Sequence, residues 1–327
     1  MHNFSIITPE GWRDYQLLDS GDGERLEQFG EFIVARPDPQ ILWSKSVPET
    51  EWRTAHAVFE RTYEDKGNWR TFKKLPEEWP VHWQDLTFLA KLSPFKHTGI
   101  FPEQSAHWAW FRKLLEEKMR SGSQSTAVEA EKPQILNLFA YTGGASVVAA
   151  KTGAKVTHVD ASRSSIGWAK KNQAASQLDE RSIRWILEDV VKFVEREVRR
   201  GSKYDGIIMD PPVYGHGPNG ETWDFKRSLP MLLELCGQIL SDKPLFVLIN
   251  AYAVSTSAIT LGNLLQEMMA GKGGKISIGE LALAQDGRGE GVKNGGQTAA
   301  HMGKSAAAEN TDASKLLSTG IWARWEN

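Results

Sequence analysis

From Pro133 onward, short apolar runs alternate with longer segments whose apolar residues recur every three or four positions, and this alternation constrains the fold most. Apolar runs of four to eight residues, each followed by an amphipathic helix, are typical of a parallel sheet with helices on both faces. The predicted strands are QILNLFA, KVTHVD, SIRWILED, YDGIIMD, PLFVLINA, KISIGELALA and TGIWARW. We therefore predict an α/β fold with a Rossmann-like sheet of seven strands.

Residues 1–94 have a different pattern. Their strand-favouring runs AHAVFE and LTFLAKL are separated by the turn signals DSGDG, RPDPQ and DKGN, which predicts a small β-rich N-terminal domain over 1–94. Aromatic rings among basic residues can stack on bases, but indoles in a small β domain more often pack in its core or at its edge, and we favour packing. The tryptophans concerned are Trp12, Trp43, Trp52, Trp69, Trp79 and Trp83.

Two segments of the second predicted domain, 95–327, stand outside the alternation. We expect residues 95–132 to form an N-terminal arm and a helix ahead of the first strand. Residues 285–317 are rich in Gly, Ala, Asn, Ser and Lys. A structureless loop of that length is uncommon in a compact domain, so we expect a flexible surface insertion there.

Charge and cysteine content limit the partners. The chain has 39 basic and 41 acidic residues, a net charge of -2, and residues 1–94 hold 16 acidic against 11 basic residues, which is evidence against tight nucleic-acid binding. The single cysteine, Cys236, excludes an internal disulfide and a cysteine-based metal centre, and we expect no metal. The chain shows no secretory leader and no run of about 20 apolar residues, which predicts a cytoplasmic protein without membrane contact.

The first strand-to-helix turn, NLFAYTGGAS, indicates a ligand site. Thr142, Gly143 and Gly144 are small enough for a ligand to approach the backbone at a helix N-terminus, beyond the carboxyl end of a strand. Asp160 ends the next strand and could accept both hydroxyl hydrogens of a ribose, while Asp189 ends the third and could reach an adenine amino group. Either aspartate alone could equally cap a helix. Together with the glycine turn, they predict an adenosine pocket.

The fourth strand ends in MDPPVYG, where two prolines follow a carboxylate. The chain contains neither GxGxxG nor GxxxxGK, which would cradle phosphates, so the looser turn favours an adenosine cofactor without phosphate. Pro211 and Pro212 fix φ and lack N–H donors, which leaves carbonyl oxygens and the Asp210 carboxylate to accept hydrogen bonds from a planar nitrogen group. Tyr214 could lie against the π face of that group.

The strings HTGIFPEQ, NLFAYTGGAS, VDAS and DPPVY, in this order, resemble the class I S-adenosylmethionine (SAM)-dependent methyltransferases. Within that class the chain is similar to the bacterial large-subunit (23S) ribosomal RNA methyltransferases of the guanine-N7 and cytosine-C5 kinds. The resemblance implies an enzyme whose sheet closes with an antiparallel last strand, SAM as cofactor and RNA as partner.

The resemblance also implies roles for individual residues. The methionine part of SAM would contact Phe139, Ala140, Tyr141, Thr142, Gly143 and Gly144. Asp160 and the adjoining Ala161 would serve the ribose, and Asp189 the adenine. The target would contact Asp210, Pro211, Pro212 and Tyr214. An arm would lie against the cofactor or substrate with His97, Thr98, Phe101 and Gln104, although Phe101 could equally be a hydrophobic staple onto the next helix.

Two departures from the family narrow the chemistry. Carbon methylation of cytosine needs a thiolate that adds to the ring. The fourth strand ends in DPPVYG and the fifth in LINAYA, and neither contains a cysteine. Cys236 lies instead in the apolar segment SLPMLLELCGQIL, which is typical of a buried structural thiol, so methylation at cytosine C5 is disfavoured. Nitrogen methylation needs no covalent intermediate and depends mainly on positioning. The acidic front domain is the second departure, because it matches phosphate poorly.

We therefore predict a SAM-dependent N-methyltransferase acting on a base of ribosomal RNA, with guanine favoured. Trp223, Phe225, Lys226 and Arg227 could shape the entrance to the site, but we slightly favour their simply starting the next helix with a basic face. Three alternatives stay open: a methyltransferase for a small-molecule or protein amine, a SAM-binding RNA assembly factor without turnover, and an NAD-linked oxidoreductase, which the missing GxGxxG disfavours.

Overall fold

The computed structural model describes residues 3–63, 66–123, 132–285 and 315–327. Its N-terminal part is rich in β-structure, as predicted. A five-stranded sheet has the order β2-β3-β4-β5-β6, and β7 and β8 form a separate hairpin. The elements are β1 (Asn3–Ile7), β2 (Tyr15–Gly21), β3 (Glu24–Phe29), β4 (Phe32–Pro37), α1 (Glu49–Trp52), β5 (Ala57–Tyr63), β6 (Lys66–Thr71), β7 (Trp79–Trp83) and β8 (Leu86–Ala90).

The remainder of the chain alternates strands and helices. A 3-10 turn, η1 (Pro102–Gln104), is followed by α2 (Ser105–Ser123), β9 (Gln134–Leu138), α3 (Gly144–Lys151), β10 (Lys155–Asp160), α4 (Arg163–Ala175), the 3-10 turn η2 (Glu180–Ser182), β11 (Ile183–Leu187) and α5 (Val190–Arg200). The second half contains β12 (Gly206–Met209), β13 (Tyr214–His216), β14 (Thr222–Asp224), α6 (Phe225–Gln238), β15 (Phe246–Ala251), α7 (Ala258–Met268), β16 (Lys275–Ala284) and β17 (Leu316–Glu326).

The large sheet has the order β1-β16-β17-β15-β12-β9-β10-β11. Strands β9, β10, β11, β12 and β15 run parallel, and β17 is antiparallel to both β15 and β16. The Rossmann-like sheet with an antiparallel last strand is thus confirmed. The fourth strand of the alternation lies beside the first, because β12 pairs with β9.

All seven predicted strands lie in the large sheet, and one further strand joins them. β1 pairs in parallel with β16, so residues from the start of the predicted small domain add an eighth strand to the large sheet. Its sequence NFSII is too short and too exposed to show from periodicity alone which sheet it joins. The rest of the predicted division at residue 94 stays a prediction.

Two buried clusters cover the two faces of the sheet. One cluster packs α5, α6 and α7 against the strands, with Phe193, Leu232 and Leu261 fully buried. The other joins α2 and α3 to the β-rich part, with Trp83, Phe111 and Val147 fully buried in one contiguous cluster. The parallel strands are therefore apolar on both sides, which explains their continuous apolar runs.

Residues 286–314, which make up most of the predicted insertion over 285–317, lie outside the described part of the chain. At its ends, Gln285 forms an isolated bridge to Leu17, and β17 begins at Leu316. Residues 124–131 of the predicted arm and helix are likewise outside the described part. None of the helices in the described ranges is long and apolar enough to span a membrane.

Candidate active site

A cleft of about 1300 Å³ opens at the carboxyl ends of the parallel strands. It lies where open α/β sheets place their ligands, because the loops after neighbouring strands converge at this edge. The large sheet contributes the residues after β9, β10, β11, β12 and β15, and the β-rich part contributes Arg25, Asp38, Pro39 and Gln40. The cleft is thus walled by both parts of the chain.

The turn between β9 and α3 forms one side of the cleft in an unusual backbone conformation. Phe139 and Tyr141 have φ values of +54° and +47°, which side chains with a Cβ rarely adopt. The turn is held in place because the Tyr141 N–H donates to Asp160 Oδ2 at 2.7 Å. Gly143, at φ +79°, caps α3 without a side chain, so the first N–H groups of this helix are available to a ligand.

The sequence analysis explained Gly143 and Gly144 by the close approach of a ligand, but the structure shows that neighbouring protein atoms leave no room for a Cβ at either position. A Cβ on Gly143 would lie 2.8 Å from Ala169 Cβ, and a Cβ on Gly144 would lie 2.5 Å from Trp108 Cζ2. Protein atoms, rather than a ligand, therefore occupy the space beside these glycines. Ala140, Thr142 and Gly144 line the cleft, whereas Gly143 does not.

Asp160 and Asp189 both line the cleft, as does Ala161. The Asp160 oxygens accept from the N–H groups of Tyr141 and Ser162, and burial raises the pKa of this carboxyl group. Asp189 accepts from the Lys192 N–H at 3.0 Å and caps α5, which is the alternative that the sequence left open. Each carboxylate oxygen retains a further lone pair, so both aspartates can still accept hydrogen bonds from a ligand.

Asp210 follows β12 and is held by two amides in series. Gln104 Nε2 donates to Asp210 Oδ2 at 3.1 Å, and Asn250 Nδ2 donates to Gln104 Oε1 at 2.9 Å. Burial raises the pKa of Asp210 to about 7, the Glu103 carboxylate contributes in the same direction, and the hydrogen bond from Gln104 opposes both. Gln104, which was predicted to contact the cofactor, therefore contacts Asp210, which was predicted to contact the target.

Several residues of the site were missed by the sequence analysis as functional candidates. Glu103 is 3% exposed and its pKa is raised by burial, while Asn250 and Tyr252 line the cleft beyond β15. The sequence did contain a signal for Asn250, because this residue ends the fifth predicted strand as Asp210 ends the fourth. Glu103 was signalled only by its place beside Gln104 in the string HTGIFPEQ, and Arg25 gave no signal, since only the packing of the β-rich part brings it to the cleft.

The arm places an aromatic cluster beside the β9–α3 turn. The Phe101 ring lies 5.2 Å from His97, 5.8 Å from Tyr141 and 5.7 Å from Tyr252, measured between centroids. His97 and Phe101 line the cleft, and burial lowers the pKa of His97 to about 3, so the ring is neutral at pH 7. Thr98 is fully buried and does not line the cleft, because its carbonyl accepts from Lys91 N–H and ties the arm to the β-rich part.

The loop after Asp210 differs from the prediction at Tyr214. This residue is 57% exposed and does not itself line the cleft, but its ring contacts His216, which does. Pro211 and Pro212 do line the cleft, and the Pro212 carbonyl accepts from Trp223 Nε1 at 2.7 Å. Trp223 is buried against Phe139, with 4.7 Å between the ring centroids, and forms part of the cleft wall.

The other residues considered for the entrance belong to α6. Phe225 is buried, and Lys226 and Arg227 are exposed at the start of this helix, as the favoured alternative predicted. Cys236 is fully buried in the same helix, within the cluster beneath the sheet, and burial raises the pKa of its thiol. Since it is the only cysteine of the chain, no thiol faces the cleft.

The donors and acceptors of the cleft fit the cofactor that the resemblance implies. The carboxylates of Asp160 and Asp189 lie at the ends of adjacent strands, near the uncapped start of α3. This arrangement suits an adenosine whose ribose and base need hydrogen-bond acceptors. The aromatic cluster and Phe139 provide an apolar wall for the remainder of such a ligand.

Comparisons with known proteins agree with this geometry. Residues 58–267 match the family described as S-adenosylmethionine-dependent methyltransferase. The crystal structure of a SAM-dependent methyltransferase from Agrobacterium tumefaciens has a TM-score of 0.84 and 39% sequence identity, and the match covers 99% of this chain and 95% of that chain.

Two curated relatives are matched over part of their length. Ribosomal RNA large subunit methyltransferase K/L of Syntrophotalea carbinolica is 28% identical over 194 residues, which are 59% of this chain and 25% of that protein. Ribosomal RNA large subunit methyltransferase I of Aeromonas hydrophila is 36% identical over 96 residues, which are 29% of this chain and 24% of that protein. The chain thus spans about a quarter of the length of these relatives.

Proposed function

Because the chain belongs to the S-adenosylmethionine-dependent methyltransferase family, we propose that it methylates a nitrogen atom of a base in ribosomal RNA, with guanine the favoured base. The two curated relatives, whose names state that they are ribosomal RNA large subunit methyltransferases, support the substrate class. The nature of the methylated atom rests on the residues of this chain.

The observation that carries the choice of nitrogen is a carboxylate in the cleft together with the absence of a usable thiol. Methylation at C5 of cytosine requires a nucleophile that adds to the ring, and a thiolate is the usual one. The one thiol of the chain is buried in α6, outside the cleft. Asp210, in contrast, lies in the cleft next to two residues that lack an N–H donor.

The protein's contribution to such a reaction is mainly orientation. Asp210 would accept a hydrogen bond from the target's N–H group and so fix the nitrogen lone pair in line with the methyl group that bound SAM supplies. With a pKa of about 7, Asp210 can also take the proton that the methylated nitrogen releases. The Pro212 carbonyl is occupied by Trp223, so we assign the second contact with the target to the Pro211 carbonyl.

The cofactor would be held from the opposite side. Asp160 would bind the ribose hydroxyls, Asp189 the adenine amino group, and the turn from Phe139 to Gly144 the methionine part. Gln104 would keep Asp210 oriented rather than contact the cofactor, since both ends of its amide are already bound within the protein.

The test is transfer of a labelled methyl group from SAM to total RNA from a strain that lacks the gene, with the modified nucleoside identified by mass. We expect label in an N-methylated guanine from ribosomal RNA. Label in 5-methylcytosine would contradict the assignment of the atom. Label in a small-molecule or protein amine would replace the proposed substrate, and SAM binding without turnover on any acceptor would indicate an assembly factor.

The matched control is Asp210→Asn, which keeps the size of the side chain and its place beside Gln104 but cannot take a proton. We expect it to bind SAM in calorimetry and to transfer no label. Equal labelling by this variant and by the wild type would contradict the role of Asp210 as proton acceptor.

A further inference from the structure

A second cavity, of about 940 Å³, lies at the opposite edge of the large sheet, where the parallel strands begin. Its walls come from the residues just before β9, from the start of β10, from η2 and β11, and from the loop before β12. We call it the basic cavity. Its basic lining residues are Lys132, Lys155, Arg181, Arg184 and Lys203.

These five cations are exposed, and none of them forms an ion pair within the described part of the chain. Lys203 donates to the Gln238 carbonyl, and Arg184 lies over the Phe193 ring at 6.0 Å. Positive charge from four separate segments of the chain therefore converges on one concave surface.

The lining also holds two acidic residues, fewer than its five cations. Glu197 is 2% exposed and binds Arg200 and the Tyr204 hydroxyl, at 3.1 and 3.0 Å. Asp179 accepts from the Arg181 N–H at 2.7 Å and caps η2. Arg184 lies close enough to Glu197 to contribute to the lowered pKa of that carboxyl group, and the lining keeps an excess of three positive charges.

This concentration of charge contrasts with the whole molecule. The chain has a net charge of -2, and its first 94 residues hold more acids than bases. A local positive surface on a nearly neutral protein attracts an extended anion to that place and not to the rest of the molecule. Phosphate groups of a nucleic acid, which repeat along a chain, can engage several such cations at once.

We propose that the basic cavity binds the phosphate backbone of the RNA whose base enters the cleft, an inference that rests on the proposed RNA substrate. The edge strand β11 connects the two sites, because Arg184 lies near its start and Asp189 lies just beyond its end. A strand of five residues spans about 15 Å. The acidic front part therefore need not carry the phosphate contacts.

The experiment uses the full chain with Lys155→Gln, Arg181→Gln and Arg184→Gln combined. We measure the affinity for ribosomal RNA fragments as a function of salt, and kcat and KM for their methylation. Each lost phosphate contact lowers the slope of log affinity against log salt by about 1, so the triple variant should lose about 2 to 3 in slope and on the order of tenfold in affinity at low salt. KM for RNA should rise, with kcat and SAM affinity unchanged.

The matched control removes three lysines that do not line the basic cavity, Lys74→Gln, Lys272→Gln and Lys275→Gln, which changes the net charge equally. We expect its RNA affinity and salt slope to stay near those of the wild type. If the wild type methylates RNA but both triple variants show the same KM and slope, the basic cavity is not an RNA site although the proposed function holds. If the first triple variant binds RNA as tightly as the wild type does, and the wild type transfers label only to a non-RNA acceptor, both proposals are wrong.

Discussion

The carboxyl group of Asp210 is held in an environment that makes its protonation sensitive to neighbouring side chains. Burial and Glu103 favour the neutral form, and the Gln104 amide favours the ionised form. The Asn250 amide fixes which end of Gln104 faces Asp210, because it occupies the Gln104 oxygen. Three residues from two separate parts of the chain thus set the chemistry of one carboxylate.

We expect Asp210 and Asp160 to divide target binding from cofactor binding. Asp210→Ala should leave SAM affinity nearly unchanged and abolish methyl transfer. Asp160→Ala should weaken SAM binding by about 1.5 to 3 kcal/mol, because charge-assisted hydrogen bonds to the ribose are lost. Calorimetric SAM titrations and a methyl-transfer assay measure both effects. An equal loss of SAM affinity in the two variants would overturn this division.

The pH dependence of kcat should have an acid limb near pH 7, because Asp210 is the active base only when ionised. Glu103→Gln removes a negative charge that disfavours ionisation, which lowers the pKa of Asp210 and moves the limb to lower pH. Gln104→Met removes the hydrogen bond that favours ionisation, which raises the pKa and moves the limb to higher pH. Profiles of kcat at saturating RNA and SAM test both signs; shifts in the same direction would contradict them.

At the scale of single elements, α3 is a short helix whose start is fixed by neighbours. Its first residue, Gly144, faces Trp108 of α2, and its cap, Gly143, faces Ala169 of α4. The sequence predicted the glycine turn, and residues of this turn line the cleft. Trp108 could not be predicted as its neighbour, since α2 and α3 are separated by a strand and meet only when the helix layer packs.

A pair of glycine substitutions separates close packing from helix propensity. Gly144→Ala places a Cβ within 2.5 Å of Trp108 and should destabilise the protein by about 1 to 3 kcal/mol. Gly167→Ala, in the exposed face of α4 with no atom within 4 Å of the added Cβ, should stabilise it by about 0.5 to 1 kcal/mol. Urea denaturation of both variants gives the two free energies of unfolding, and a loss at both positions would contradict the packing argument.

In the whole molecule, the β-rich part and the large sheet share a core. The fully buried Phe29, Val81 and Trp83 belong to the same cluster as Phe111 and Val147. Polar contacts add to this junction: Asn172 of α4 accepts from the Leu89 N–H at 2.8 Å, and Trp168 Nε1 donates to the Leu89 carbonyl at 2.8 Å. The cleft lies along the same junction.

Because the core is continuous, we expect a single cooperative unfolding transition in calorimetry, with calorimetric and van't Hoff enthalpies in agreement. SAM at about 100 times its dissociation constant should stabilise the folded protein by about 2.7 kcal/mol and move the whole transition to higher temperature. Two separate transitions, only one of which moves with SAM, would show that the two parts unfold independently.

The sequence by itself determined the alternating sheet, the cofactor class and the main positions of the cleft, because apolar periodicity and residues at strand ends are local signals. Asp160, Asp189, Asp210 and Pro211 were placed at the cleft edge in this way. The tertiary structure alone decided the exposure of Tyr214 beside His216, the contact of Gln104 with Asp210, the addition of β1 to the large sheet and the convergence of five cations in the basic cavity. These features depend on pairing between residues far apart in the chain, and such pairing leaves no local pattern from which it could be predicted.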